Sequence, residues 1–215
     1  MKYYCLKPPT EKPSWNYFLL YTASRLKRFY KGTYYIPGRT LLPVFVLPRR
    51  LVDWRAFEEV SPRVLRESFK MICVNCGLCC MENCGAFMFS NEYFETKASL
   101  GLDVILPYKT VRASYVGELQ VYALDVEARG RCYFYSFGEG CRLKKAKPII
   151  CLIHYCTLLA EKGGRKYVKV SVKKTNSGDL PIYRAVSDER FKEIVAQLKE
   201  KALRKAWTNG LIYEI

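Results

Sequence analysis

The run CVNCGLCC at residues 73–80 constrains this 215-residue chain more than any other feature. Cys73, Cys76 and Cys79 recur at every third position, so one tight loop can aim three thiolates at a point, and Cys80 sets a fourth sulfur beside Cys79. A second burst follows at Cys132, Cys141 and Cys151. The ten cysteines are gathered rather than spread, and the chain is long enough to bury a core without disulfides. Both facts argue against the stapled scaffold of a small secreted protein. The N-terminal MKYYCLKPPTEKPS holds no signal-peptide run, and the apolar stretches beginning at Tyr17 and Leu41 are too short to span a bilayer. A reducing cytoplasm is therefore expected, where clustered thiols are more often metal ligands than disulfides. Two glutamines, one histidine and abundant Lys and Tyr resemble a thermophile's composition. For such a protein disulfides remain the alternative.

Thiolates are soft donors that select zinc, Cu(I) or iron in a cluster, and four of them close a tetrahedral zinc site or hold one cubane. Zinc ribbons take their ligands as two CxxC pairs. The CxxCxxC of Cys73, Cys76 and Cys79 instead puts three thiolates in one loop, as bacterial ferredoxins do for a [4Fe-4S] cluster. No Cys-Pro follows and there is one such triple, which argues against a ferredoxin, and the triple is not the CxxxCxxC of radical S-adenosylmethionine enzymes, which disfavours that chemistry. A [4Fe-4S] cluster is favoured and Zn2+ stays open. Side chains of neighbouring residues diverge, so Cys79 and Cys80 are expected to serve two binding points. The metal-ligand candidates are Cys73, Cys76, Cys79, Cys80, Cys132, Cys141 and Cys151, with Cys84, Cys156 and His154 in reserve and Cys5 an isolated buried or free thiol. Four thiolates leave the centre near a net charge of about −2. Arg131, Arg142, Lys144, Lys145 and Lys147 are placed to neutralise it, and the glycines of GRCYFYSFGEGC permit close backbone approach to sulfur.

A formal charge of +16 implies an anionic partner. Residues 1–50 carry ten Lys and Arg against one acid, and residues 101–215 carry twenty-one against twelve, whereas residues 51–100 are slightly acidic. The basic excess thus flanks the first burst. Tyr3, Tyr4, Tyr30, Tyr34 and Tyr35 interleave with these cations as candidates to stack on bases, so RNA or a ribonucleoprotein is the expected partner. A salt-bridged thermophile surface is the plainer reading of the same charge.

Periodicity and capping predict a basic helix over 14–30, capped at Ser14 and stopped by Gly32, and an extended connector over 34–48 broken by Pro37, Gly38, Pro43 and Pro48. Ser61-Pro62 opens a helix running through Phe69 into Cys73, and Ser90 caps a helix over 91–99 that ends at Gly101. Strands are expected over 111–116, 119–126 and 132–136, the first two as a hairpin, with a second hairpin of 166–174 and 180–186. Ser187 caps a long helix over 188–207 that ends at Gly210. The expected fold is α+β: a small, irregular, metal-nucleated cysteine-cluster core with β-hairpins, flanked by an N-terminal basic helix and a long C-terminal helix. Its segments are 1–60, 61–160 and 161–215, joined in one unit.

CVNCGLCC, the FMFSNEYFE stretch with Glu92, and GRCYFYSFGEGCRLKKAKPIIC together resemble the CxxCxxCC cysteine-cluster family, the YkgJ-type zinc- or iron-chelating proteins. Gly130-Arg131-Cys132-Tyr133 fits that family's Gly-x-Cys-aromatic segment, Cys141 its next cysteine, and Lys147-Pro148-Ile149-Ile150-Cys151 its basic-Pro-x-x-Cys ending, with Lys where Arg is usual. The resemblance covers about residues 70–156 and implies metal binding; flagellin lysine N-methylases carry a similar cluster. Two alternatives stand beside a mainly structural metal. One is an iron-sulfur enzyme of methyl-transfer or redox type, although no GxGxxG, P-loop or paired-histidine motif is present and Asp103, Asp125, Glu127 and Glu139 form no evident catalytic group. The other is a peripheral membrane-surface protein resting on the basic first helix.

Overall fold

Strands from both ends and the middle of the chain meet in one sheet. The computed structural model describes residues 1–36, 41–81, 85–101, 105–125, 131–136, 139–153, 156–175 and 178–208. In chain order the elements are β1 (Lys2–Leu6), α1 (Pro13–Arg25), β2 (Tyr30–Tyr35), β3 (Leu41–Leu47), β4 (Phe57–Glu59), α2 (Pro62–Glu67), β5 (Phe69–Met71), α3 (Leu78–Met81), β6 (Phe87–Phe89) and α4 (Ser90–Leu100). They continue with β7 (Tyr108–Ala113), β8 (Gly117–Ala123), β9 (Tyr135–Ser136), β10 (Gly140–Cys141), α5 (Ile149–Ile153), β11 (Leu159–Lys162), β12 (Arg165–Thr175), β13 (Gly178–Val186) and α6 (Asp188–Thr208). The large sheet has the order β13-β12-β11-β5-β2-β3-β1-β4; β6-β8-β7 and β9-β10 form smaller sheets. Every pairing is antiparallel. The fold is mixed α and β with antiparallel sheets, as composition and hairpin signals imply, and all three sequence segments contribute strands to the same eight-stranded sheet.

Several predicted boundaries move, each for a physical reason. The first helix ends at Arg25, and Tyr30 already belongs to β2, so Gly32 is a strand residue rather than a helix stop. Its φ of 142° accompanies a register shift against β3, and a Cβ there would meet the Lys70 side chain at 2.9 Å. The connector expected over 34–48 is largely β3, a central strand. Pro43 sits one residue past the last β1 rung, Cys5–Val44, where a strand can dispense with a donor. The second helix is capped as predicted, Ser61 Oγ accepting from Val64 N–H at 3.3 Å, but ends at Glu67, and β5 carries the chain into Cys73. Gly101 closes α4 in the left-handed conformation at φ 59°. Ser187 Oγ accepts from Arg190 N–H at 3.2 Å at the start of α6. The hairpin β7–β8 turns at Ser114, Tyr115 and Val116, and β12 pairs with β13 as expected. Asn176, Ser177 and Gly210 lie outside the described residues.

Burial sorts the aromatic side chains. Phe45, Phe57, Tyr4 and Phe18 fill a cluster between the sheet and α1, with Phe45 edge-on to Phe57 at 5.2 Å between ring centroids. Tyr4 and Tyr35, read from sequence as base-stacking candidates, are buried in the sheet. Helix α1 likewise buries Phe18, Leu19 and Ala23 against the core. Among the described residues no helix is long and apolar enough to cross a membrane.

Phe45 contacts Tyr30 and Phe57 at the middle of the sheet and is fully buried. Phe45→Ala is expected to lower unfolding free energy by about 3–5 kcal/mol, measured by denaturant titration followed by circular dichroism.

Candidate metal centre

The sheet brings the two cysteine bursts together. Strand β5 runs directly into Cys73, and β11 begins just after Cys156; the two pair through Ala160↔Met71 and Glu161↔Lys70. Ile72 N–H donates to Leu159 O at 3.0 Å, extending that contact to the edge of the cysteine loop. Cys156 is thereby held beside the first burst.

The loop 73–77 turns through Asn75 at φ 53° and Gly77 at φ 92° before entering α3. Asparagine and glycine are the residues that adopt this left-handed backbone most readily. Gly77 is further required by packing, because a Cβ there would lie 2.2 Å from the Tyr135 ring. The second burst closes in from the opposite side. Cys132 N–H donates to Cys80 O at 2.9 Å, and Gly140 at φ 87° lies where a Cβ would come within 3.0 Å of Asn75 O. Gly140 of the GRCYFYSFGEGC segment thus comes close to a backbone carbonyl, where approach to sulfur is expected from sequence.

One cavity of about 310 Å³ results. All seven candidate cysteines, Cys73, Cys76, Cys79, Cys80, Cys132, Cys141 and Cys151, line it, and Cys156 joins them. Cys79 and Cys80, expected to point apart, reach the same cavity, since the loop bends into α3 between the two bursts. Cys132 is buried at its floor, while Cys73, Cys79 and Cys156 stand at an exposed rim. No disulfide joins any of the nine described cysteines. Among the described residues no three Cys, His, Asp or Glu side chains already form a metal-coordination set. His154 and Cys84 lie outside the described residues. Apolar side chains complete the wall, including Leu143, Ile150 and Leu198, the last from α6, which packs over α3.

The electrostatics are those of gathered thiols. The Cys80 thiol hydrogen-bonds the Cys79 sulfur, which draws Cys79 down to about 6 and pushes Cys80 up. Burial raises Cys76 and Cys156. Lys147, one of the cations proposed to neutralise the centre, is set against sulfur. Its ammonium donates to Cys73 Sγ at 3.8 Å and to Asn75 Oδ1. Burial works against its charge, but the electrostatic pull of the surrounding cysteine sulfurs, Cys73 foremost, outweighs burial and holds its pKa above the usual value. Arg142 and Lys144 point to solvent.

Sequence reading missed the residue that anchors the second burst. Glu92 is 1% exposed, and its Oε1 accepts from Ile149 N–H at 2.6 Å at the start of α5, the helix that carries Cys151. Its Oε2 accepts from Phe89 N–H at 3.4 Å, and Lys27 lies 4.0 Å away while also pairing with Glu95 at 3.5 Å. A Glu three residues into a helix reads locally as a capping residue; its second bond spans the fold and leaves no local signal. Comparison with protein families, with curated proteins and with solved structures returns no match to this chain.

Burial raises the Glu92 carboxyl to about 7, against the stabilising pull of Ile149 N–H and Lys27. A folded-state pKa above the unfolded value means that the contribution is fully present below about pH 4.5 and lost as pH rises through about 7. Unfolding free energy is expected to fall by roughly 3 kcal/mol from this group across that window, and Glu92→Gln, which keeps the acceptor for Ile149, to flatten the profile. Gly77→Ala is expected to cost about 2 kcal/mol or more through both its backbone conformation and Tyr135, read by thermal unfolding.

Proposed function

We propose that this chain is a thiolate metal protein in which the two cysteine bursts hold an iron-sulfur cluster or zinc, with the metal mainly structural. The observation that carries this reading is that all seven candidate cysteines, joined by Cys156, line one cavity. A donor set made only of thiolates suits a soft metal, and Lys147 supplies a nearby countercharge. The cavity's volume favours the cluster over a single zinc ion, whose four sulfurs would close tightly around it. The elements around the cavity support a structural role. Helix α3 has four residues, α5 five, and β9 and β10 two each. Elements this short are not stable alone, so a metal bridging them would contribute folding free energy.

The basic flanks are assigned to an anionic partner, RNA or a ribonucleoprotein, on the strength of the +16 charge. A second reading, an iron-sulfur enzyme of redox or methyl-transfer type, draws on the cavity's apolar wall and open rim, which leave space for a small molecule beside a cluster.

Anaerobically purified protein is expected to be brown, with broad visible absorbance and stoichiometric iron and sulfide; a colourless protein with stoichiometric zinc selects the other metal. Protein that binds neither, under both iron-sulfur reconstitution and zinc titration, would sink the proposal. Cys76→Ser and Cys132→Ser are expected to reduce metal content and lower the melting temperature together, whereas Cys5→Ser, at a thiol bonded to Glu58 in the sheet, leaves metal content unchanged.

A further inference from the structure

The segment joining β3 to β4 presents a strip of exposed rings and cations. Strand β1 pairs with the end of β3 at Lys2↔Leu47 and with the start of β4 at Leu6↔Phe57. Residues 48–56 therefore travel back along the length of β1, ~13 Å at the rise of an antiparallel strand. Arg49, Arg50, Leu51, Trp54 and Arg55 are exposed along that path. Trp54 is 50% exposed, yet its ring is braced edge-on against buried Tyr4 at 5.6 Å, and Lys7 Nζ donates to its carbonyl at 2.7 Å.

Tyr115 stands at the end of the strip, on the tip of the β7–β8 hairpin. It is 65% exposed and holds φ 64°, a left-handed conformation that costs a non-glycine residue free energy. Arg55 and α1 keep it there. Asp53 grips the Arg55 guanidinium with bonds of 3.0 and 2.8 Å, the guanidinium lies 4.6 Å from the Tyr115 ring centroid, and Trp15 and Phe18 contact the same ring at 5.4 and 5.3 Å. Two exposed aromatic rings are thus held rigid by buried partners. Lys7, Arg49, Arg50 and Arg55 lie on or against this segment, where Asp53 is bonded to Arg55 and Glu59 on the adjoining strand is paired with Lys2.

Cations in series with exposed, pre-positioned rings match the chemistry of a single strand of nucleic acid, whose phosphates meet the cations and whose unstacked bases meet the rings. A duplex keeps its bases stacked and gains nothing from the rings. A membrane surface would be served by a broad apolar face among the cations, and beside its two rings the strip offers Leu51 and Val116 as exposed aliphatic side chains. We propose that residues 49–55 together with Tyr115 form a binding surface for single-stranded RNA; this rests on the reading that the basic flanks meet RNA and names the surface that does so.

The test uses the full, metal-loaded chain and a single-stranded oligouridylate, with affinity followed against salt. Tyr115→Gly, which relieves the left-handed backbone, and Trp54→Ala are each expected to weaken binding about 5- to 100-fold with the salt dependence unchanged, because each removes a stacking ring and no charge. Trp54→Phe restores most of the loss. Arg49→Ala with Arg50→Ala lowers the slope of log affinity against log salt by about 1.4, whereas Lys173→Ala with Lys174→Ala, on the distant β12 hairpin, leaves the effect of the ring substitutions intact. If Trp54→Ala fails to fold, Tyr115→Gly carries the test alone. Wild-type protein that binds RNA with ring variants that bind equally well overturns this surface and leaves the broader RNA reading standing. Wild-type protein that binds no RNA at moderate salt removes both, and duplex RNA or anionic lipid vesicles competing as well as the single strand overturn the surface as proposed.

Discussion

The antiparallel contact between β5 and β11 is the constraint on which the rest of the site depends. Few rungs join them, Ala160↔Met71 and Glu161↔Lys70, with Ile72 N–H to Leu159 O beyond. Yet this contact lies at the centre of an eight-stranded sheet, with β2 and β3 on one side and β12 on the other. Those neighbours give the pair a rigidity that an isolated three-residue strand lacks. The CVNCGLCC loop leaves one strand of the pair and the Cys156 segment enters the other. Both sides of the cavity mouth therefore inherit the sheet's stability, and neither relies on the short helix α3 for its position.

The floor of the cavity is held differently. Cys141 ends a two-residue strand and Cys132 sits in an isolated bridge with Asp125, neither of which stands alone, and both are located by docking against the first burst. The Cys132 to Cys80 hydrogen bond and the packing of Tyr135 on Gly77 and of Gly140 on Asn75 pin the two segments together. A side chain at Gly77 would collide with the Tyr135 ring, and one at Gly140 would press on Asn75 O at 3.0 Å. Cys151 is fixed by a third route, the buried Glu92 carboxylate at the start of α5. Burying that carboxylate without full ion pairing is unfavourable, and the raised pKa is the measure of it. The cost is set against a backbone donor that would otherwise be left without a partner beside the cavity.

Local signals in the sequence were legible and long-range ones were not. Ser61-Pro62, Ser187 and Gly101 mark element ends because a cap is satisfied within a few residues. The two hairpins were readable for the same reason, since each pairs a strand with its successor. Strands β1, β3, β5 and β11 left little trace, because segments such as KYYCL, FKM and LAEK become strands only when distant partners arrive. Pro43 even argued against β3, and its place one residue past the last β1 rung explains why it is tolerated. The cysteine set was legible because thiolates at fixed spacing have few uses. Cys156 was undervalued because its place at the cavity comes from β11 rather than from motif spacing, and Glu92 because its second bond crosses the fold.

The charge of the chain divides once these contacts are known. Lys147 faces sulfur, Lys27 faces Glu92 and Glu95, Lys2 pairs with Glu59 at 2.8 Å, and Lys166 pairs with Glu161. These cations answer acids or thiolates of the fold itself and carry no information about a partner. Subtracting them concentrates what remains. On the N-terminal flank the exposed cations Arg49 and Arg50 lie on the same crossing segment as Trp54, and Arg55 spends its charge on Asp53 while using its flat face to hold Tyr115. A solvated thermophile surface explains scattered lysines; it gives no reason to hold Tyr115 in a left-handed backbone beneath a fixed guanidinium. The held ring, more than the net charge, is the observation on which the proposed RNA surface rests.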